Sequence, residues 1–147
     1  MPTRDGISEE DWAKVRAIAV DIANRAGHDL DTNMLENHLQ ECLDQLELKY
    51  GMLPSILATR ADYADDPIES LTLYKAAYAK ACEVDNKYEK TDISSSIAEM
   101  YIETIKDDVQ GREWLGKLES NMKFYSDKDI KELHDKLSHK VKRPPSL

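Results

Sequence analysis

The chain has 147 residues, of which 41% are hydrophobic and 33% are charged, a composition typical of a folded globular domain rather than a disordered chain. Its net charge is -9, and the charge is uneven, because residues 1–122 carry -12 and residues 123–147 carry +3. Such an acidic body lacks the lysines and arginines that neutralise phosphates, so we expect no binding to nucleic acid.

The sequence also bears on the location of the protein. No stretch reaches the roughly 18 apolar residues that a membrane span needs. The segment MPTRDGISEEDW has no apolar core of a secretion signal. Cys42 and Cys82 lie in helical patterns among apolar neighbours, which favours reduced core thiols. We therefore expect a cytoplasmic protein without membrane contact.

Apolar residues recur at helical spacing in about seven segments, and no segment shows the alternation of a strand. An N-terminal helical pair is predicted over residues 8–50, where Ser8 and Asp11 form a capping box and Gly27 ends the first helix. The pattern predicts an all-α fold.

Four further helices are predicted over residues 52–122, as two antiparallel hairpins. Asp66 is expected to cap the fourth helix. Residues 86–90 read as a polar connector, and Thr91 or Asp92 is expected to cap the fifth helix.

A C-terminal helix is predicted over residues 126–141, opened by Ser126 with Asp129. The tail, residues 142–147, contains two prolines that cannot continue a helix, so we expect it to be frayed. With few glycines and prolines to form linkers, residues 1–147 are predicted to form a single helical domain.

The two predicted hairpins resemble one another at a spacing of 40 residues. A shift of 40 places Leu57 on Ile97, Ala58 on Ala98 and Tyr74 on Trp114. A small residue lets the partner helix approach closely, and a large aromatic fills the groove beside it. Each hairpin keeps an uncovered apolar side, so we expect the hairpins to stack.

This pattern resembles the tetratricopeptide repeat. ILATRADYADDPIESLTLYKAAYAKA is similar to its helix–turn–helix, with Ala58 and Ala77 at small positions and Tyr74 at the aromatic one. SIAEMYIETIKDDVQGREWLGKLES is a weaker copy, in which Lys117 replaces the expected small residue. The resemblance implies stacked hairpins; the alternative is an ordinary helical bundle with a chance internal match.

The sequence contains no recognisable motif of a catalytic, phosphate-binding or metal-binding site. There is no glycine-rich phosphate loop and no Cys-x-x-Cys pair. None of the four histidines has a histidine four residues away, as a helical zinc site needs. We therefore predict no catalytic residue, no cofactor and no metal, and a protein that is not an enzyme.

Acidic residues concentrate at the links inside the two hairpins. If equivalent links lie side by side, these acids and two tyrosines form a surface suited to lysine or arginine of a partner. The residues predicted to bind a partner are Asp62, Tyr63, Asp65, Asp66, Tyr101, Glu103, Asp107 and Asp108. The alternative is that the aspartates only cap helices and form turns.

The segment YGMLPSILATRADYADDP resembles segments of helical immunity proteins encoded beside bacterial polymorphic toxins. This resemblance implies a protein-binding protein whose acidic face occludes the basic surface of a toxin domain. Three alternatives stay open: an adaptor or chaperone that binds peptides, a helical metal-dependent nuclease or hydrolase, and a self-associating module. The sequence leaves the oligomeric state open.

Overall fold

The computed structural model describes residues 2–141, and within that range it contains α-helices and no strand, as predicted. The predicted fraying of residues 142–147 lies outside the described residues. The helices are α1 (Glu9–Ala26), α2 (Asn33–Tyr50), α3 (Pro54–Asp62), α4 (Pro67–Glu83), α5 (Lys87–Glu99), α6 (Asp108–Met122) and α7 (Lys128–Lys140), with a π-helical segment, Met100–Ile105, directly after α5. None of these helices combines the length and apolar character that a membrane crossing requires.

Several helix starts follow the predicted capping chemistry. The Ser8 hydroxyl accepts a hydrogen bond from the Asp11 amide (3.2 Å), and Asp66 accepts one from the amide of Ile68 (3.1 Å). These side chains satisfy amides that have no partner within the first turn of a helix.

The predicted first residues of two helices, α5 and α7, were wrong. Helix α5 begins at Lys87 because Asn86 caps it, so the expected connector belongs to the helix. Thr91 is fully buried inside α5 and donates to the Tyr125 carbonyl oxygen (3.0 Å). Helix α7 is capped by Asp127, not Ser126, through the Ile130 amide (2.9 Å).

The buried side chains form two clusters. One contains the inner faces of α1 and α2, closed by Ile7 from the preceding segment and by Ile56 of α3. The other runs through α3, α4, α5, the π-helical segment, α6 and α7. Helix α3 contributes to both clusters and therefore joins the N-terminal pair to the rest.

In the larger cluster, helices α3 to α6 pack mainly on their neighbours in sequence, whereas α7 packs more on α5 than on α6. Helix α3 pairs with α4 and α5 pairs with α6, while α4 also packs against α5. Three fully buried alanines, Ala77, Ala81 and Ala98, lie in this cluster, which lets helices approach closely. Likeness of this arrangement to the tetratricopeptide repeat remains a prediction.

The two cysteines do not both lie in the core. Both are free thiols, and Cys42 is half-buried whereas Cys82 is exposed. The expectation of a core position was therefore wrong for Cys82.

The π-helical segment ends at Lys106, which adopts a left-handed conformation (φ 65°). Its wide turn brings the Ile102 side chain against Gly111 of α6, the next helix. A Cβ at Gly111 would lie 2.5 Å from Ile102 Cγ1, so this contact requires glycine. By contrast, Gly116 on the same helix has open space around it.

We expect Gly111→Ala to lower the free energy of unfolding by about 1–3 kcal/mol, since the added methyl overpacks the contact with Ile102. Gly116→Ala is the matched control and should raise that energy by about 0.5–1 kcal/mol through helix propensity alone. Urea unfolding of both variants measures the difference. Equal effects of the two substitutions would contradict the packing described here.

Candidate functional site

The links inside the two hairpins lie at the same end of the molecule. A shallow cleft between them is lined by Asp62 and Asp65 from the first hairpin and by Met100 and Thr104 of the π-helical segment. The Ser70 hydroxyl on α4 reaches across to the Met100 sulfur (3.7 Å). The cleft thus places the first link beside the π-helical segment that leads into the second link.

Four of the predicted acids are exposed at this end. We define Asp62, Asp65, Asp66 and Asp108 as the acidic tip surface. Asp66 and Asp108 stand at the start of α4 and of α6. Carboxylates at these positions are stabilised by the positive end of each helix, which offsets their mutual repulsion.

Capping explains part of this acidic character. Asp66 caps α4, and Asp107 accepts a hydrogen bond from the Gln110 amide (3.1 Å) as the cap of α6. Asp107 is half-buried, so its carboxylate serves the fold. Asp65, which is also exposed in the link between α3 and α4, does not cap either helix.

Glu103 binds within the chain. Lys140 of α7 donates to one of its carboxylate oxygens at 2.6 Å, and Lys136 lies 3.9 Å from the other. The hydrogen bond from Lys140 lowers the pKa of Glu103 below its usual value. Glu103 therefore fixes α7 beside the second hairpin and is not available as a free carboxylate for a partner.

The two predicted tyrosines do not edge the acidic tip surface. Tyr101 is buried in the larger cluster, with the ammonium nitrogen of Lys75 5.1 Å from its ring centre. Tyr63 is half-buried and packs against the N-terminal cluster. Tyr101 lies at helical spacing with the other apolar residues of its helix. The predicted acidic surface was based on the links between helices and did not take this spacing into account.

Asp62 is held by a short hydrogen bond from the Tyr74 hydroxyl. Desolvation by the surrounding residues raises the pKa of Asp62, and the bond from Tyr74 opposes that shift. Burial, followed by the bond to Asp62, raises the pKa of Tyr74 above its usual value. Tyr74 thus fixes the orientation of a carboxylate at the rim of the cleft.

Two exposed aliphatic side chains beside the acids were missed by the sequence reasoning. Ile68 is 59% exposed near the start of α4, and Val109 is 69% exposed near the start of α6. Each follows within two residues of an aspartate of the acidic tip surface. An aliphatic residue follows the acids of each link in the sequence, and this recurrence could have identified both side chains.

Over residues 2–141, no set of three or more His, Cys, Asp or Glu side chains has a geometry that would hold a metal ion. The tips therefore offer negative charge, exposed apolar side chains and the oriented carboxylate of Asp62.

Comparison with known proteins gives no relative: no family model, no curated protein and no solved structure matches the chain significantly.

Tyr74→Phe tests the orientation of Asp62. Without the hydroxyl, the pKa of Asp62 should rise further, and the free energy of unfolding should fall by about 1 kcal/mol, because a hydrogen bond to a carboxylate is lost. NMR titration of the Asp62 carboxyl carbon and urea unfolding measure both quantities. Asp65→Asn, the control at an exposed site, should change stability by less than about 0.5 kcal/mol. An unchanged Asp62 pKa in Tyr74→Phe would contradict this account.

Proposed function

We propose that this protein is a stoichiometric protein-binding protein, and specifically an immunity protein that neutralises a bacterial toxin by occluding a basic surface. The observation that carries the proposal is the acidic tip surface, in which carboxylates from two hairpins are exposed beside Ile68 and Val109. Protein interfaces combine such features: an apolar centre that loses water and charges that select the partner. The immunity role itself rests on the sequence resemblance.

The partner chemistry follows from the charge. Carboxylates at Asp65 and Asp108 attract lysine and arginine side chains, which form charge-assisted hydrogen bonds with them. A net charge of -9 extends the attraction beyond contact distance and speeds the encounter with a basic toxin domain. Ile68 and Val109 then exclude water from the contact, which strengthens the ion pairs around them.

The inhibition would be by occlusion. A nuclease-type toxin needs a basic groove to hold phosphates. When the acidic tip surface covers that groove, it competes with the nucleic acid for the same cations. This mechanism requires no catalysis by the immunity protein, and one molecule inactivates one toxin molecule.

An adaptor or chaperone that binds peptides is the second candidate. The cleft between the hairpins, lined by Ala61, Ser70 and Met100, is the observation that favours it. Such a protein would bind short peptides weakly and independently of their attachment to a folded domain. An immunity protein would bind one folded domain tightly, with an association rate that depends on salt.

The test is affinity capture of partners from the native organism, followed by kinetics with the captured protein. The tip variant Asp65→Asn/Asp108→Asn removes two exposed carboxylates. Asp21→Asn/Glu41→Gln removes the same charge from exposed positions on α1 and α2 and is the matched control. We expect one basic toxin domain to be captured and its activity to be abolished at a 1:1 ratio.

The tip variant should slow association with that domain about tenfold at low salt, while the control variant should change it less than about twofold. Raising the ionic strength from about 0.01 M to 0.15 M shortens the screening length from about 30 Å to about 8 Å and should reduce the difference. Equal rates for both variants, or capture of housekeeping enzymes and chaperones alone, would overturn the proposal.

A further inference from the structure

A cavity opens where three stretches far apart in the sequence meet: the segment before α1, the link from α4 into α5, and the turn after α6. Its volume is about 560 Å³, within the roughly 300–1,000 Å³ typical of small-molecule sites in proteins. We call it the α5 cavity, and among its lining residues are Arg4, Val84, Asp85, Lys87, Lys90 and Phe124.

The α5 cavity is distinct from the acidic tip surface. Asp66 and Asp108 of that surface stand at the starts of α4 and α6, whereas the cavity lies at the ends of the same two helices. Helix α4 has 17 residues and is therefore about 25 Å long, which separates the two regions.

Among the residues that the structure describes, the walls of the α5 cavity carry three cations, Arg4, Lys87 and Lys90, and one acid, Asp85. Lys90 binds that acid, with its Nζ 2.6 Å from Oδ1 of Asp85. The first turn of α5 also lines the cavity and adds the positive end of its helix dipole. The cavity therefore attracts an anion, although the whole chain carries a net charge of -9.

Carboxylates outside the cavity reduce the contribution of Arg4. Glu89, Asp92 and Asp127 interact with its charge, and none of the three lines the cavity. Lys87 is exposed and forms no ion pair within residues 2–141. Its ammonium group is therefore the main charge available to a bound anion.

Contacts around Arg4 hold the walls in place. The guanidinium carbon of Arg4 lies 4.6 Å from the ring centre of Tyr88 and 4.9 Å from that of Tyr125, and the two rings meet edge to face at 4.7 Å. The Asn86 side-chain amide donates to the Arg4 carbonyl oxygen (2.9 Å), while its side-chain oxygen accepts from the Tyr88 amide (3.1 Å) and caps α5. Such a preformed cavity loses little conformational entropy when a ligand binds.

Two exposed apolar side chains line the same cavity. Phe124 is 73% exposed and Val84 is 49% exposed. The Phe124 amide donates to the Asn121 carbonyl oxygen (3.0 Å), and the Asn121 side-chain amide donates to the Lys90 carbonyl oxygen (3.3 Å), so the turn after α6 is fixed to α5. A ring that covers Phe124 and Val84 removes apolar surface from water and gains aromatic contact with Phe124.

We propose that the α5 cavity binds a small aromatic anion, that is, a ring system that carries a phosphate or carboxylate group. The acid group pairs with Lys87 and Lys90, since ammonium groups form charge-assisted hydrogen bonds with both kinds of anion. The ring packs on Phe124 and Val84. The site uses none of the acidic tip surface, so it stands independently of the proposed function.

Titration of the full-length protein with α-naphthyl phosphate, followed by NMR of the backbone amides, tests the proposal. The shifts should be largest at residues 84–90 and at Phe124, and they should saturate with a Kd of about 0.1–1 mM. α-Naphthol lacks the charge and inorganic phosphate lacks the ring, so each should bind at least about tenfold more weakly. Titration with α-naphthoate separates the two acid groups: the probe with the lower Kd identifies the group that the site prefers, and either preference supports an aromatic anion.

Two variants remove one part of the site each. Lys87→Gln removes the unpaired cation and Phe124→Ala removes the exposed ring, and each should raise the Kd about fivefold. Lys14→Gln on α1 and Leu48→Ala on α2 are the matched controls at exposed positions outside the cavity, and each should change the Kd less than about twofold.

A third variant should strengthen binding. Asp85→Asn removes the carboxylate that competes with the ligand for Lys90, so the Kd should fall about threefold. Asparagine also adopts the left-handed conformation of this residue (φ 52°) readily. No saturable shift up to about 10 mM probe, equal affinity for α-naphthol or for inorganic phosphate, or weaker binding by Asp85→Asn than by the wild type would overturn the proposal.

Discussion

Close packing of α4 against α5 is the contact on which the candidate site depends. Ala77 and Ala81 of α4 and Ala98 of α5 are fully buried in the same core cluster, and larger side chains at these positions would disturb the close packing of its helices. Because α4 packs against α5 and the π-helical segment, the first link lies beside the segment that leads into the second link. The proposed shared surface of the acidic tips depends on this packing.

Bringing carboxylates together is unfavourable, and the fold offsets that cost in several ways. The starts of α4 and α6 place positive helix ends beneath Asp66 and Asp108, and Glu103 is neutralised by Lys140 of α7. For Glu89 and Asp92, burial raises the pKa, and Arg4 opposes that shift without outweighing it. The free carboxylates that remain at the tips are the ones without an internal cation, and those are the groups open to a partner.

Much of the fold could be predicted from the sequence because helical periodicity and capping residues are local signals. Ser8 and Asp66 cap the helices that their spacing indicated. The start of α5 was missed because Asn86 was read as part of a polar connector rather than as a cap. The π-helical segment was missed for another reason: it depends on packing against other helices, such as the contact of Ile102 with Gly111. The contact of the Arg4 guanidinium with the Tyr125 ring was also missed, because the two residues are far apart in sequence.

The distance between the two links is the measurement that tests the central claim most directly. Spin labels at Asp65→Cys and Asp108→Cys, in a chain with Cys42→Ser and Cys82→Ser, report it by double electron–electron resonance in solution. The account predicts one narrow distribution at less than about 20 Å, because both labels sit at the same end of the packed hairpins. Helix α4 has 17 residues and is about 25 Å long, so links at opposite ends would give at least that distance. A distribution centred beyond about 25 Å, or one spread over many distances, would contradict the shared acidic tip surface.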